Sequence, residues 1–521
     1  MHPSYFYGRG KGNREEIAVP LEQSEDELVD SDEDNEVDVN LDESRGSSES
    51  ESESESESDT DTDTEDDTLE FHKAKNLKWQ KKKNIPPVPQ WKGSLPEPSG
   101  VSEPVDYFRH LFHREIMEEV VRQTNLYALQ RDVTRPLNVT VAEMEQFIGV
   151  CFHMSIHVLP KTRLYWNPQT RVEMVASTMS LNRWENIKRH LHFADNNNQV
   201  PGGDKLFKVR PLLNFLNDSY RSIPMDEMLC VDEQMVPFKG KSQLKQYIPM
   251  KPKRWGYKIN MALCTTLMCT QGPFNPLASV IPTNISHKLF FDNWFCSVDL
   301  QILLEKEKIH SVGTVRQGRL AGCTFMDDRA MKAKGRGTHE EKMTTHNGVN
   351  LWAVKWFDNR PVTLLSTFVA ANPTTQVLRW DKKKKEVVRV SRPNVVAVYN
   401  KSMGGVDLLD SLIALYRTKI RSKKWYHRIV FHMLDMTLVE AWLLHRRDCQ
   451  SQMPEIAHLP LLDFKIQVAS CLCMENKVRP QSFVPPDPVR RDRTDHWPLH
   501  ASEKGRCKMP GCKGIVRSKQ I

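Results

Sequence analysis

The chain has 521 residues, room for more than one buried core, with 73 Lys/Arg against 67 Asp/Glu and a formal net charge of +6. Eleven cysteines in such a length do not read as a disulfide framework. No apolar run of about 18 residues offers a membrane span, and "MHPSYFYGRGKGN" lacks the apolar centre of a signal peptide, so a reducing intracellular compartment and no membrane partner are expected.

The small net charge hides a segregation. Residues 1–70 hold 26 Asp/Glu and four Lys/Arg, and the rest of the chain holds 41 and 69. An acidic tail joined to a basic body favours a phosphate-rich partner. A soluble protein with no anionic partner is the plainer alternative. Residues 1–75, ending in "SSESESESESESDTDTDTEDDT", carry too little apolar surface to offset the entropy of ordering and are expected to be a disordered acidic tail. Its Ser-acid alternation suits phosphorylation by acid-directed kinases. Residues 76–103 follow as a basic, Pro-rich linker, in which Lys81–Lys83 could serve in nuclear import.

From 104 to 222 the pattern is helical. "PVDYFRHLFHREIMEEVVRQTNLYAL" places Phe108, Leu111, Phe112, Ile116, Val120 and Val121 on one face. "TVAEMEQFIGVCFHM" opens with a Thr140-x-x-Glu143 capping box. His110 and His113 read as surface or core residues, not ligands. After Pro224 the texture changes: "EMLCVDEQMVPFKG", "GYKINMALCTT" and "HSVGTVR" read as strands, "KLFFDNWFCSV" as a strand running into a helix. "NLWAVKWFDNRPVTLLSTFV" reads as a hairpin turning at Asp358-Asn359, and helical periodicity returns from 405 to about 446. The whole suggests a mixed α/β domain carrying a strand-rich insertion.

Three aspartates share a context, each beside an apolar run where an element begins or ends. Asp232 lies on a strand in "LCVDEQMVPF", Asp292 follows the buried run "KLFF", and Asp407 follows Gly404-Gly405 at a helix start, with Asp410 one turn later on the same face. Carboxylates at a helix N-terminus are favoured by the macrodipole, which by itself could account for Asp407 and Asp410. The chemical alternative is a two-metal phosphoryl-transfer site. Mg²⁺ is held by carboxylates, waters and substrate phosphates, and so many like charges are tolerable together only around cations.

The blocks "CVDEQMVPFKGKSQLKQYIPMKPKRWGYKI", "FFDNWFCSV" and "YNKSMGGVDLLDSLIALYRTKIRSKKWYHR" resemble, in sequence and order, the catalytic blocks of piggyBac transposases and proteins derived from them. The resemblance covers roughly 105–515 and implies an RNase H-like α/β core. It makes Asp232, Asp292 and Asp407 the catalytic triad holding two Mg²⁺ ions, with Asp410 as an accessory acid. It further implies that 104–222 is a dimerisation and DNA-binding region, 223–317 the first part of the core, 318–395 an insertion domain, 396–448 the closing helices, and 449–521 a linker with a cysteine-rich segment. Double-stranded DNA is the implied partner, cut and joined at TTAA sequences by a nuclear homodimer. Lys251, Lys253, Arg254 and Lys258, then Arg417, Lys419, Arg421, Lys423, Lys424 and Arg428, are the expected phosphate contacts, which position a duplex without reading its sequence. Trp255, Tyr257 and Trp425 are expected to fill the core.

Two departures qualify the match. Between "GYKINMALCTT" and the strand at 289, "LMCTQGPFNPLASVIPTNISHK" is short, and its Pro273 and Pro276 argue against a third strand. Cys507 and Cys512 resemble the first ligand pair of the family's zinc domain, but no later Cys-x-x-Cys precedes Ile521, so a closed Zn²⁺ site is not expected. A host-adopted, catalytically inactive DNA-binding or regulatory protein is therefore the rival reading, and an interaction scaffold built on the acidic tail a third.

Overall fold

The computed structural model describes residues 76–81, 85–95, 100–240, 242–248, 254–263, 267–269, 281–382, 384–452, 454, 458–475, 498–506 and 515–520. The acidic tail, Lys82, Lys83, Lys251, Lys253, Pro273, Pro276, Cys507 and Cys512 lie outside the described residues. The chain divides into two compact units, Met1–Glu97 with Asn217–Leu412 and Pro98–Leu216 with Ile413–Ile521.

In chain order, the first helices are α1 (Pro104–Leu111), α2 (Arg114–Arg131), α3 (Val141–Ile156), α4 (Glu173–Ala176), α5 (Leu181–His190) and α6 (Arg210–Arg221). The capping box at α3 forms as its sequence requires: Thr140 accepts from the Glu143 amide, and the Glu143 carboxylate accepts from the Thr140 amide. Phe108, Leu111, Phe112, Ile116 and Val120 are buried, and Phe108 meets Phe112 and Phe152 ring to ring. The expected single face is broken between α1 and α2, which leaves Val121 half-buried.

The strand-rich part comprises β1 (Met228–Pro237), β2 (Gln246–Tyr247), β3 (Trp255–Leu263), β4 (Leu267–Cys269), β5 (Lys288–Phe291), helix α7 (Val298–Lys306), β6 (His310–Thr314), α8 (Asp328–Lys334), β7 (His339–His346), β8 (Val349–Phe357), β9 (Pro361–Ser366), β10 (Thr375–Asp381) and β11 (Glu386–Arg392). One sheet runs β2-β3-β1-β5-β6-β9-β8-β7, with β4 added on β3. β3 is antiparallel to β1, while β5 joins β1 and β6 in parallel. All four residues of β5 are buried, as an apolar run inside a parallel sheet should be. The hairpin turning at Asp358-Asn359 is present as β8–β9. Contrary to the sequence expectation, a third strand exists: β4 pairs antiparallel with β3 before the prolines begin, so only three residues of the interval are needed for it. β10 and β11 form a separate ribbon.

Sequence reading treats residues near 76–81 as linker, yet Leu77 and Trp79 pack on the core of this unit. The Trp79 indole N–H donates to Leu320 O, and Gln80 bridges to Met343 of β7.

Helices α9 (Asn394–Ser402), α10 (Gly405–Leu415), α11 (Trp425–Gln452) and α12 (Leu461–Cys473) follow, then strands β12 (Pro498–Arg506) and β13 (Ile515–Gln520), which pair with each other. Helical structure thus extends past the periodicity seen in sequence. In the second unit α12 lies against α3, where a side chain at Gly149 would stand 2.8 Å from Ala469 O and from Cys473 Sγ.

Candidate active site

The strand β1 carries the site. Its parallel pairing with β5 joins each residue to the one 60 positions later, from Met228 with Lys288 to Val231 with Phe291. Continuing that register by one residue sets Asp232 beside Asp292, where β5 ends. Side chains two apart on a strand share a face, so Cys230, Asp232 and Gln234 point the same way. The two flanking members are both held by α10. The Cys230 thiol faces the amides of Gly405 and Val406, and burial pushes it up to about 12. The Gln234 amide donates to Asp410 Oδ1 at 2.7 Å. Asp232 therefore faces the first turns of the helix that carries Asp407 and Asp410, and Cys230 feels the charges of both Asp232 and Asp407.

Asp292 sits in a tight turn. Its Oδ1 accepts from the Trp294 amide at 2.9 Å, and the Phe295 amide also donates to its carboxylate. Burial raises this carboxyl above its ordinary range, and the negative charge of Glu233 adds to the rise, while the amides and Lys258 oppose it. Tyr399 of α9 lies nearby. Its phenol is pushed above the usual tyrosine range by burial, and it lies within electrostatic reach of both Asp292 and Asp232.

Of the expected phosphate contacts in this unit, Arg254 is exposed. Lys258 is mostly buried: it pairs with Glu233 at 2.5 Å and lies 4.5 Å from the centre of the Trp294 ring. Trp255 does not fill the core. It is 52% exposed and meets Tyr247 at 4.8 Å between ring centroids, with Lys245 over its face, because the short edge strand β2 brings no further layer to cover it. Tyr257 is buried against Phe238, as expected.

The other basic group belongs to the second unit. Lys419, Arg421 and Lys423 are exposed, and Arg417, Lys424 and Arg428 are half-buried, as is Trp425. The loop between α10 and α11 that bears most of them is pinned from below. Asp435 accepts from the Thr418 amide and hydroxyl at 2.7 Å each, and Lys465 donates to Tyr416 O at 2.7 Å and to Asp435 at 3.2 Å. Lys424 donates to Arg189 O and lies over the Tyr127 ring.

An all-carboxylate donor set suits a hard, oxygen-seeking dication, so the chemistry of Asp232, Asp292, Asp407 and Asp410 fits Mg²⁺. Among the described residues, no group of three or more His, Cys, Asp or Glu side chains stands close enough to hold one ion. Cys230 lies within electrostatic reach of Asp232 and Asp407, Gln234 bonds Asp410, and Tyr399 lies within electrostatic reach of Asp232 and Asp292. None of those three, nor the Glu233–Lys258 pair, was expected from sequence, although the period of two along β1 marks Cys230 and Gln234 as neighbours of Asp232.

Among the described residues no helix is long and apolar enough to cross a membrane. A family model described as Transposase IS4 matches residues 103–270 and 279–442. The chain is 28% identical over 490 residues to the Homo sapiens PiggyBac transposable element-derived protein 2, covering 85% of this chain and 81% of that protein. It is 32% identical over 368 residues to the Homo sapiens PiggyBac transposable element-derived protein 3, covering 66% of this chain and 61% of that one. Its fold is similar to that in a cryo-EM structure of a piggyBac transposase synaptic complex with hairpin DNA, with a TM-score of 0.59 at 20% identity, over 75% of this chain and 84% of the other.

Proposed function

Since the chain belongs to the Transposase IS4 family, among the piggyBac transposase-derived proteins, we propose that it binds double-stranded DNA and keeps a carboxylate site for cutting and joining strands at TTAA sequences. The observation that carries this reading is the register of β1 on β5, together with the docking of α10 on β1 through Cys230 and Gln234. It sets the strand of Asp232 beside the strand that ends before Asp292 and turns its Cys230 and Gln234 toward the helix of Asp407 and Asp410. The order β4-β3-β1-β5-β6, antiparallel on one side of β1 and parallel on the other, supports an RNase H-like core.

In this mechanism Asp232, Asp292 and Asp407 would hold the metal, with Asp410 as the accessory acid. Bound there, a Mg²⁺ pair supplies a sharpened attacking oxygen and charge neutralisation at the leaving one. The chain's own side chains do the rest. Gln234 fixes Asp410, and the Trp294 and Phe295 amides orient Asp292. Exposed Arg254, Lys419, Arg421 and Lys423 offer positive charge to the phosphate backbone. The complex of the structural relative with hairpin DNA supports DNA as the ligand. A nuclear homodimer, with Lys81–Lys83 in import and the acidic tail competing for the basic surface, completes the proposal.

The test is Mg²⁺-dependent cleavage of TTAA-flanked duplex DNA. Wild-type protein gives products, and Asp292→Asn abolishes them while DNA retardation persists. The absence of a three-ligand group among the described residues favours a second reading, a host-adopted DNA-binding protein without catalysis. In that case the protein retards DNA with a steep salt dependence and cleaves nothing.

A further inference from the structure

Trp294 stands two residues past Asp292 and is 57% exposed. An indole held in water forfeits much of the stabilisation its burial would bring, and the turn it occupies needs no large side chain. That turn is nonetheless fixed from several sides. The Trp294 amide donates to Asp292 Oδ1 at 2.9 Å. Arg319, itself exposed, donates from Nη1 to Asn293 O at 2.9 Å and to Trp294 O at 3.1 Å. The ring is steadied by the Lys258 ammonium at 4.5 Å, a cation–π contact made rigid by the Lys258–Glu233 ion pair. The result is an aromatic surface of set orientation, open to solvent, flanked by guanidinium and ammonium charge, and covalently two residues from a candidate catalytic acid.

From this arrangement, and resting on the DNA reading above, we propose that Trp294 is a stacking platform for an unpaired nucleobase beside Asp292. A base inside a duplex is covered on both faces by its neighbours, whereas an unpaired base offers a free π-face to an aromatic side chain. Arg319, exposed beside the turn, complements the charge of the adjoining phosphate.

The experiment uses the full chain and two oligonucleotides of one sequence, one fully paired and one with a single-stranded 3′ overhang carrying 2-aminopurine. Trp294→Ala weakens binding to the overhang substrate by about 5- to 100-fold, leaves binding to the paired duplex within about twofold, and abolishes the quenching of 2-aminopurine fluorescence. Trp294→Phe restores most of both. The inference is overturned if Trp294→Ala leaves overhang affinity unchanged, or if it weakens both substrates equally. Wild-type protein that binds neither oligonucleotide overturns the DNA reading, and the stacking proposal with it, and is distinguished from the first failure by the behaviour of the unmutated chain.

Discussion

The side-chain amide of Gln234 donates to Asp410 Oδ1 at 2.7 Å across 176 residues of sequence. Gln234 is fully buried, so the bond ties the strand bearing Asp232 to the helix bearing Asp407 with little competition from water. Replacing Gln234 by Leu leaves the Asp410 oxygen without this donor, at a cost of about 1–3 kcal/mol. Thermal unfolding should register that loss. Under the catalytic reading, Mg²⁺-dependent cleavage falls by more than tenfold while affinity for duplex DNA stays within about twofold. An unchanged cleavage rate would remove Gln234 from the site.

Lys258 and Glu233 pair diagonally across β3 and β1, with 17% and 12% of their side chains exposed. Lys258→Met leaves Glu233 without its cation near the already raised Asp292 carboxyl. The pair keeps some solvent screening, so the expected cost is about 1–3 kcal/mol, below that of a fully buried pair. Adding Glu233→Gln should recover part of it. A double-mutant cycle in thermal denaturation measures the coupling, and strictly additive effects would contradict this account.

Gly313 of β6 leaves room for the strand end that carries Asp292. A Cβ there would lie 2.5 Å from the Phe291 ring and 2.9 Å from Cys296 Sγ. Gly313→Val overpacks this contact and destabilises the unit by about 1–3 kcal/mol. Gly313→Ala does less. A melting temperature unchanged in both variants would show that the ring can move aside freely.

His153 and His432 are buried in the second unit, and burial lowers them to about 4 and about 3, with Arg417 and Arg428 adding to the effect at His432. Both stay neutral when folded, while the unfolded chain takes up protons near pH 6.5. Their contribution is therefore complete above about pH 6.5 and is lost as pH falls towards the folded values. By pH 5 each should have lost about 2 kcal/mol. Melting temperature measured from pH 7.5 to 5 should fall, and His432→Leu should flatten the slope. A profile equally steep in the variant would point to other groups.

Asp435 and Lys465 are each 2% exposed and meet at 3.2 Å beneath the basic loop. Asp435→Ala strands the Lys465 ammonium and frees Thr418, an expected loss of about 3–5 kcal/mol. Asp435→Leu with Lys465→Met should fold far better than either single change. If the loop holds phosphates, that double variant binds DNA with a shallower dependence on salt. An identical salt slope would separate the anchor from the charges above it.

The element ends beside the acids were legible because their signals are local. Apolar runs on either side of Asp232 and before Asp292 mark element ends, and Gly404-Gly405 marks the helix start before Asp407. The capping box at Thr140 and the turn at Asp358-Asn359 depend on residues a few positions apart, and both formed as read. The third strand is hidden in sequence because Pro273 and Pro276 argue against the interval as a whole, whereas residues 267–269 precede them and pair with β3 on their own.

The blocks around the acids marked the family by resemblance, and composition marked the charge asymmetry, since each is written in short stretches of chain. Only the tertiary structure decided that the strand of Asp232 pairs with the strand ending before Asp292 at an offset of 60 residues, that Gln234 reaches Asp410, that Lys465 pairs with Asp435, and that Trp255 and Trp294 remain in water while Tyr257 does not. The reason is physical. Backbone preference is set by neighbours in sequence, whereas burial and pairing are set by whichever distant surface covers a side chain, and no local pattern records it.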